Sequence, residues 1–133
     1  MAVRAFSGAA SGAGVLDNAT ASGRAILAHL PTADVDEVVR RGLERFSDAT
    51  PTDPVQLRAE LERVRAGGFS VNLNQYRPGV CAVAAAILDG DGAPLATITV
   101  SMPESRYDAA RLPELGRLVA DTAKEIAARR TGE

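Results

Sequence analysis

Tryptophan is absent from this 133-residue chain, cysteine occurs once, and only 4% of the residues are aromatic. With so few rings, the core has to be built from Ala, Val, Leu and Ile. A single cysteine, Cys81, excludes an internal disulfide and points to a reducing compartment. Basic excess is missing too. Lys and Arg number 15 against 17 Asp and Glu, a formal charge of -2 that cannot neutralise a row of phosphates. No DNA contact is therefore expected from this chain itself. The longest apolar run, Val80 to Leu88, falls far short of a membrane span, and residues 1–20 lack the apolar centre of a signal peptide. The expected location is cytoplasmic, away from the membrane.

What is present fits one globular domain: 46% hydrophobic and 24% charged residues over a length that can bury a sizeable core. Residues 1–17, including "AFSGAASGAG", are rich in small residues and read as a flexible segment. "TASGRAILAHL" predicts a helix capped by Thr20 or Ser22 and ended by Pro31. Thr32 then caps a second predicted helix running through "ADVDEVVRRGLERF" with Gly42 inside it. Asp53 as cap, Pro54 at the first position, the stripe Leu57, Leu61 and Val64, and the stop Gly67-Gly68 define a third. "FSVN" predicts a short strand. Spacings of three and four over Leu112, Leu115, Leu118, Val119, Thr122, Ala123 and Ile126 predict a last helix, nucleated near Asp108.

Between them, "GVCAVAAAILDGDGAPLATITVSMP" is two strands joined by a Gly/Asp turn, so the fold class is α+β with an antiparallel sheet. A turn centred on Gly90-Asp91 sets Ala82 opposite Thr99, Ala84 opposite Thr97, Val80 opposite Ser101 and Ala86 opposite Leu95. Cys81, Val83, Ala85 and Ile87 share the other face with Ala96, Ile98 and Val100, an evident core face. The first face combines short side chains with hydroxyls. Left open to water it is an ordinary half-exposed strand surface; covered, it becomes an apolar hollow with hydrogen-bonding groups on its floor, as small-molecule sites are. Small residues before the first helix add free amides at its positive end, although a plain helix cap looks the same.

Catalytic chemistry finds little support. Cys81 falls on the core face and the only histidine, His29, reads as a solvent-facing helix residue with nothing to bring it near. "DVDE" and "DGDG" are a helix start and a turn, so no metal site, catalytic residue or cofactor is expected.

In order and spacing, "ASGRAILAHLP", "LRAELERVRAGGFSVN", "RPGVCAVAAAILDGDGAPLATITVSMPESR" and the closing amphipathic helix resemble the C-terminal effector-binding domain of IclR-family bacterial transcription regulators, over about Asn18 to Arg130. That resemblance implies a GAF-like sheet with flanking helices and a domain spanning residues 18–133. It also implies a non-enzymatic sensor for a small organic acid or aromatic metabolite, expected to be a carboxylate. It places Ala21 and Ser22 at the ligand carboxylate and Asn72, Ala82, Thr99 and Ser101 in the rest of the pocket. Where many members have acidic residues this chain reads "VNLNQ"; Met102 stands where Gly is usual and Cys81 where Arg is common. The family's winged helix-turn-helix and its first strands have no counterpart in this reading. Missing strands leave a sheet edge open, so a homo-oligomer is expected, and a dimerisation module with no ligand is the alternative.

Overall fold

The computed structural model describes the backbone of residues 2–7 and the whole of residues 18–130. Four strands, β1 (Ala2–Ser7), β2 (Ser70–Leu73), β3 (Val80–Leu88) and β4 (Pro94–Pro103), form one antiparallel sheet in the order β1-β4-β3-β2. Helices α1 (Ala21–Leu27), α2 (Thr32–Arg41) and α3 (Pro54–Gly67) lie between β1 and β2 in sequence, and α4 (Leu112–Arg130) follows β4 after two short 3-10 turns. This is the α+β class expected.

Local chemistry accounts for most boundaries. Thr20 Oγ1 accepts from the Gly23 amide at 3.0 Å and starts α1. Asp53 Oδ1 accepts from the Val55 amide at 3.0 Å, Pro54 opens α3, and Gly68 ends it at φ 86°, a left-handed backbone that glycine adopts without cost. Helix α2 is shorter than expected. Gly42 takes φ 95° and terminates it, leaving Leu43 to Phe46 outside, and Pro31 precedes it without the side-chain cap expected of Thr32.

The first segment also needs correction. Ala2–Ser7 is a strand paired with β4, Ala2 opposite Ser101 and Ser7 opposite Ala96, so a strand does precede the first helix and residues 1–17 are not uniformly a flexible segment. Residues 8–17 lie outside those described.

The hairpin register is displaced by two residues from the expectation. Ala82 faces Ser101, Ala84 faces Thr99 and Ala86 faces Thr97. The cause is the loop: Asp89 Oδ1 accepts from the amides of Asp91 and Ala93, both at 2.9 Å, while Asp89 N–H donates to Ala93 O at 2.8 Å. Ile87 pairs with Ala96 and Leu88 with Pro94, so a bulge leaves Leu95 without the partner assigned to it. Because side chains alternate with period two, an even slip leaves every residue on its expected face.

Those faces organise the layers. Cys81, Val83, Ala85, Ile87, Val100 and Met102 pack against Val119, Ala120 and Ala123 of α4. On the opposite face Ala82 and Ala84 meet Ala21 and Ala25 of α1. A further cluster of Leu27, Ala28, Val35, Leu57, Leu61 and Val64 joins α1 to α2 and α3. Phe69 lies so flat on α4 that a methyl group at Gly116 would overlap its ring.

His29 is not the solvent-facing helix residue expected: it lies half-buried in the turn after α1, its amide donating to Ile26 O at 3.0 Å. Burial, and then the Arg65 charge, push its imidazole below the ordinary 6.5. The unfolded chain therefore binds a proton more readily, so this contribution to stability is full above about pH 6.5 and is lost as pH falls through the folded-state value. Taking the protein from about pH 7 to about pH 5 should lower its melting temperature, and His29→Gln should remove part of that fall; an unchanged pH profile contradicts the burial. Gly116→Val should destabilise by about 1–3 kcal/mol through overpacking against Phe69, read from denaturant unfolding, and a neutral result would mean the ring is free to leave.

Candidate functional site

Register places polar side chains in rows on the α1 side of the sheet. Ser70, Ala84 and Thr99 form one row; Asn72, Ala82 and Ser101 form the next; Ala86 and Thr97 lie beyond. Thr97 and Thr99 are 1% and 7% exposed and Asn72 5%, so the face is covered rather than bathed in solvent. Among the described residues, neither threonine hydroxyl makes a hydrogen bond. Ser101 and Ser22 are half-buried.

The cover is α1. Ala21 and Ala25 can lie directly on Ala82 and Ala84 because all four side chains are single methyl groups. Ser70 Oγ donates to Ala21 O at 2.5 Å, and Arg24 Nη2 donates to Val71 O at 2.8 Å, fastening the start and the middle of the helix to β2. Arg24 is 1% exposed, an unusual place for a guanidinium. Its Nη2 also donates to Gln75 Oε1 at 2.7 Å. Asn72 Oδ1 accepts from the Gln75 amide at 2.8 Å, and Thr50 Oγ1 donates to Gln75 O at 2.5 Å. Ser47 Oγ donates to Asn74 O at 2.5 Å, so the 44–51 loop is tied to the chain leaving β2. Asn18 Nδ2 donates to Glu44 O and Pro51 O, at 3.1 and 2.8 Å, joining the entry to α1 to the same loop.

Electrostatically the face is one-sided. Its described groups are hydroxyls, a carboxamide, amides at the start of α1 and the buried Arg24, and no Asp or Glu is among the described buried residues. Such a lining suits an acceptor-rich or anionic guest. Cys81 lies on the α4 side of the sheet, 2% exposed; burial first, then Glu104, pushes its thiol above the ordinary range, against a weaker opposing contact from the Asn74 backbone. Among the described residues no group of His, Cys, Asp and Glu is arranged to hold a metal ion.

Residues 5–128 match the family described as the C-terminal domain of the bacterial transcriptional regulator IclR. This chain belongs to the IclR family. Its relatives are named as transcription regulators. The HTH-type transcriptional repressor AllR of Klebsiella pneumoniae is 36% identical over 110 residues, covering 82% of this chain and 40% of that protein. The HTH-type transcriptional regulator BhcR of Paracoccus denitrificans is 37% identical over the same length, covering 82% and 39%. This IclR-family chain thus spans about two fifths of the length of those curated relatives. Among solved structures, the repressor BlcR of Agobacterium tumefaciens superposes with a TM-score of 0.76 at 28% identity, covering 82% of this chain and 45% of that one. The inducer-binding domain of an Acinetobacter PobR double mutant, in complex with 3-hydroxybenzoic acid, shares the fold at a TM-score of 0.74 and 24% identity, covering 83% and 64%.

Of the six positions named from the IclR resemblance, five share one face of the sheet and its cover, and Ser22 is placed only as the helix residue after Ala21. Asn72, Ala82 and Ser101 are row neighbours, Thr99 is in the adjacent row, and Ala21 packs on Ala82 and Ala84 with Ser22 next to it. Sequence reasoning missed Arg24, Ser70, Gln75 and Thr50. A signal for Arg24 was present: it is the lone charge in "ASGRAILAHL", and no acidic residue stands three or four positions away to hold it at a surface. Ser70, Gln75 and Thr50 act through long-range contacts that no local pattern announces.

Cys81 should react with iodoacetamide at about pH 8 at least ~10-fold more slowly in the native chain than in urea, because only the thiolate attacks and the fold disfavours it. Equal rates would remove Cys81 from the core.

Proposed function

We propose that this chain is the effector-sensing domain of a bacterial transcription regulator, and that it takes a small carboxylate between the start of α1 and the hydroxyl-bearing face of β3 and β4. The observation that carries this reading is the covered polar face itself. Thr97, Thr99 and Asn72 are buried on the side of the sheet that faces α1, and no Asp or Glu is among the described buried residues.

The proposal gives each group a role. The amides of Ala21 and Ser22, at the positive end of α1, receive the carboxylate; Thr20 Oγ1 has already taken the Gly23 amide. Thr99 and Ser101 hydroxyls and the Asn72 amide meet the remaining polar atoms, and Ala82, whose methyl clusters with Ala21, Ala25 and Ala84, offers the guest's body an apolar contact. The 24% identity to PobR carries the fold alone. That a domain of this fold holds a hydroxybenzoate nevertheless fits a guest with one carboxylate and an apolar body. Binding would favour one arrangement of the domain over another and so bias whatever modules the full regulator carries. Such a regulator works in the cytoplasm as a homo-oligomer, and phosphate contacts fall to parts other than this domain. No described helix is long and apolar enough to cross a membrane.

A thermal-shift screen over small carboxylates tests this directly. At a hundredfold excess over its Kd, a true effector adds about 2.7 kcal/mol and raises the melting temperature on the order of 10 °C. Thr99→Val and Ser101→Leu should abolish the shift while leaving circular dichroism unchanged. Shifts that survive both substitutions would take those side chains out of the site, and a chain that responds to no carboxylate supports the ligand-free dimerisation module instead.

A further inference from the structure

Gln75 is held at three points by three different elements. Its amide donates to Asn72 Oδ1 at 2.8 Å, its side-chain Oε1 accepts from Arg24 Nη2 at 2.7 Å, and its carbonyl accepts from Thr50 Oγ1 at 2.5 Å. The Arg24 bond comes from a fully buried guanidinium, which also donates to Val71 O at 2.8 Å on the strand that carries Asn72. A charge-assisted bond sealed from water is among the stronger ones available.

A carboxamide is an acceptor at one end and a double donor at the other, and a loosely held asparagine can present either. Asn72 has no such choice. Flipping it would turn the Nδ2 protons onto the Gln75 N–H, donor against donor, at a site 5% exposed. With Oδ1 committed, Nδ2 is the end left over, and among the described residues it makes no hydrogen bond. Its row neighbours are the methyl of Ala82 and the hydroxyl of Ser101.

We propose that Arg24 is a positioning residue which, by anchoring Gln75, fixes the donor end of the Asn72 amide toward the guest. The site then selects an effector carrying a hydrogen-bond acceptor at that end over one carrying a donor-only group. This rests on the effector reading above and adds the polarity of the guest's far end.

Two probe pairs test it, each sharing a carboxylate and differing at the other end: isophthalate against 3-(aminomethyl)benzoate, and succinate against β-alanine. In the wild-type chain the dicarboxylate should bind tighter than its ammonium partner by about tenfold, the value of one good hydrogen bond. Asn72→Asp should abolish or invert the preference. Gln75→Met, which keeps the Arg24 charge but removes the anchor, should shrink it to within about threefold, a change that loss of general stability alone does not produce. Without any ligand, hydrogen exchange should show the Gln75 amide protected in the wild type and in Asn72→Asp, and exposed in Asn72→Ala. Probes of a pair binding equally, or a preference unchanged in Asn72→Asp, overturn the proposal and leave the effector reading standing. No shift with any of the four counts against the effector reading and takes the selectivity with it. An unprotected Gln75 amide in the wild type overturns the Arg24 assignment by itself.

Discussion

The contact of Ala21 and Ala25 with Ala82 and Ala84 sets the distance between α1 and the sheet, and that distance determines what the polar face can hold. At seven residues α1 is too short to be stable by its own hydrogen bonds, and alanine burial contributes little area per residue. Its position therefore depends on close approach together with a few strong ties: Ser70 to Ala21 O near its start and Arg24 to Val71 O one turn on. Larger side chains at the seam would lift the helix off the sheet. Fewer ties would let it leave.

Once the roof is fixed, the chemistry beneath it follows from what the chain leaves out. No acidic residue is among the described buried ones, and the polar groups on the face are mostly donors or hydroxyls that can donate. One side chain of the face, Asn72, also reaches the chain leaving β2, and the 44–51 loop holds that same segment. Asn72 holds the Gln75 amide, Thr50 holds the Gln75 carbonyl and Ser47 holds the Asn74 carbonyl. A guest touching Asn72 thus touches, through a single hydrogen bond, the segment that joins β2 to β3 and the 44–51 loop lashed to it. Under the proposed function, this is the physical route by which occupancy of the face would be felt away from it.

Much of this was legible in the sequence, for identifiable reasons. Period-two alternation in "AVAAAIL" and "LATITVSMP" assigned both hairpin faces correctly even though the turn placed the register two residues off. The Asp89 side chain, which closes the longer loop, gives no signal distinguishing it from a shorter Asp/Gly turn. Helix α3 carried its cap, first-turn proline and terminal glycine in order, and all three act as read. In α2, the glycine read as internal is the terminator: apolar spacing on both sides of Gly42 could not reveal its positive φ. The small-residue start of the chain hid β1, because a strand paired with β4 draws its stability from the partner's backbone rather than its own composition. On the α1 side of the sheet, the strand residues that share the polar face were legible, while the residues that tie it to the loops were not. Lining residues share a strand pattern, whereas Arg24, Gln75 and Thr50 meet only in three dimensions.

The central claim is that the alanine seam holds α1 over the polar face. Hydrogen exchange by NMR on Ala84→Leu tests it most directly, since Ala84 is fully buried at the middle of the seam. Protection of the α1 amides should collapse, while amides of α4, on the far side of the sheet, keep theirs. Wild-type protection in α1 despite the larger side chain would show that the helix is not held by this contact, and the account of the site would fail with it.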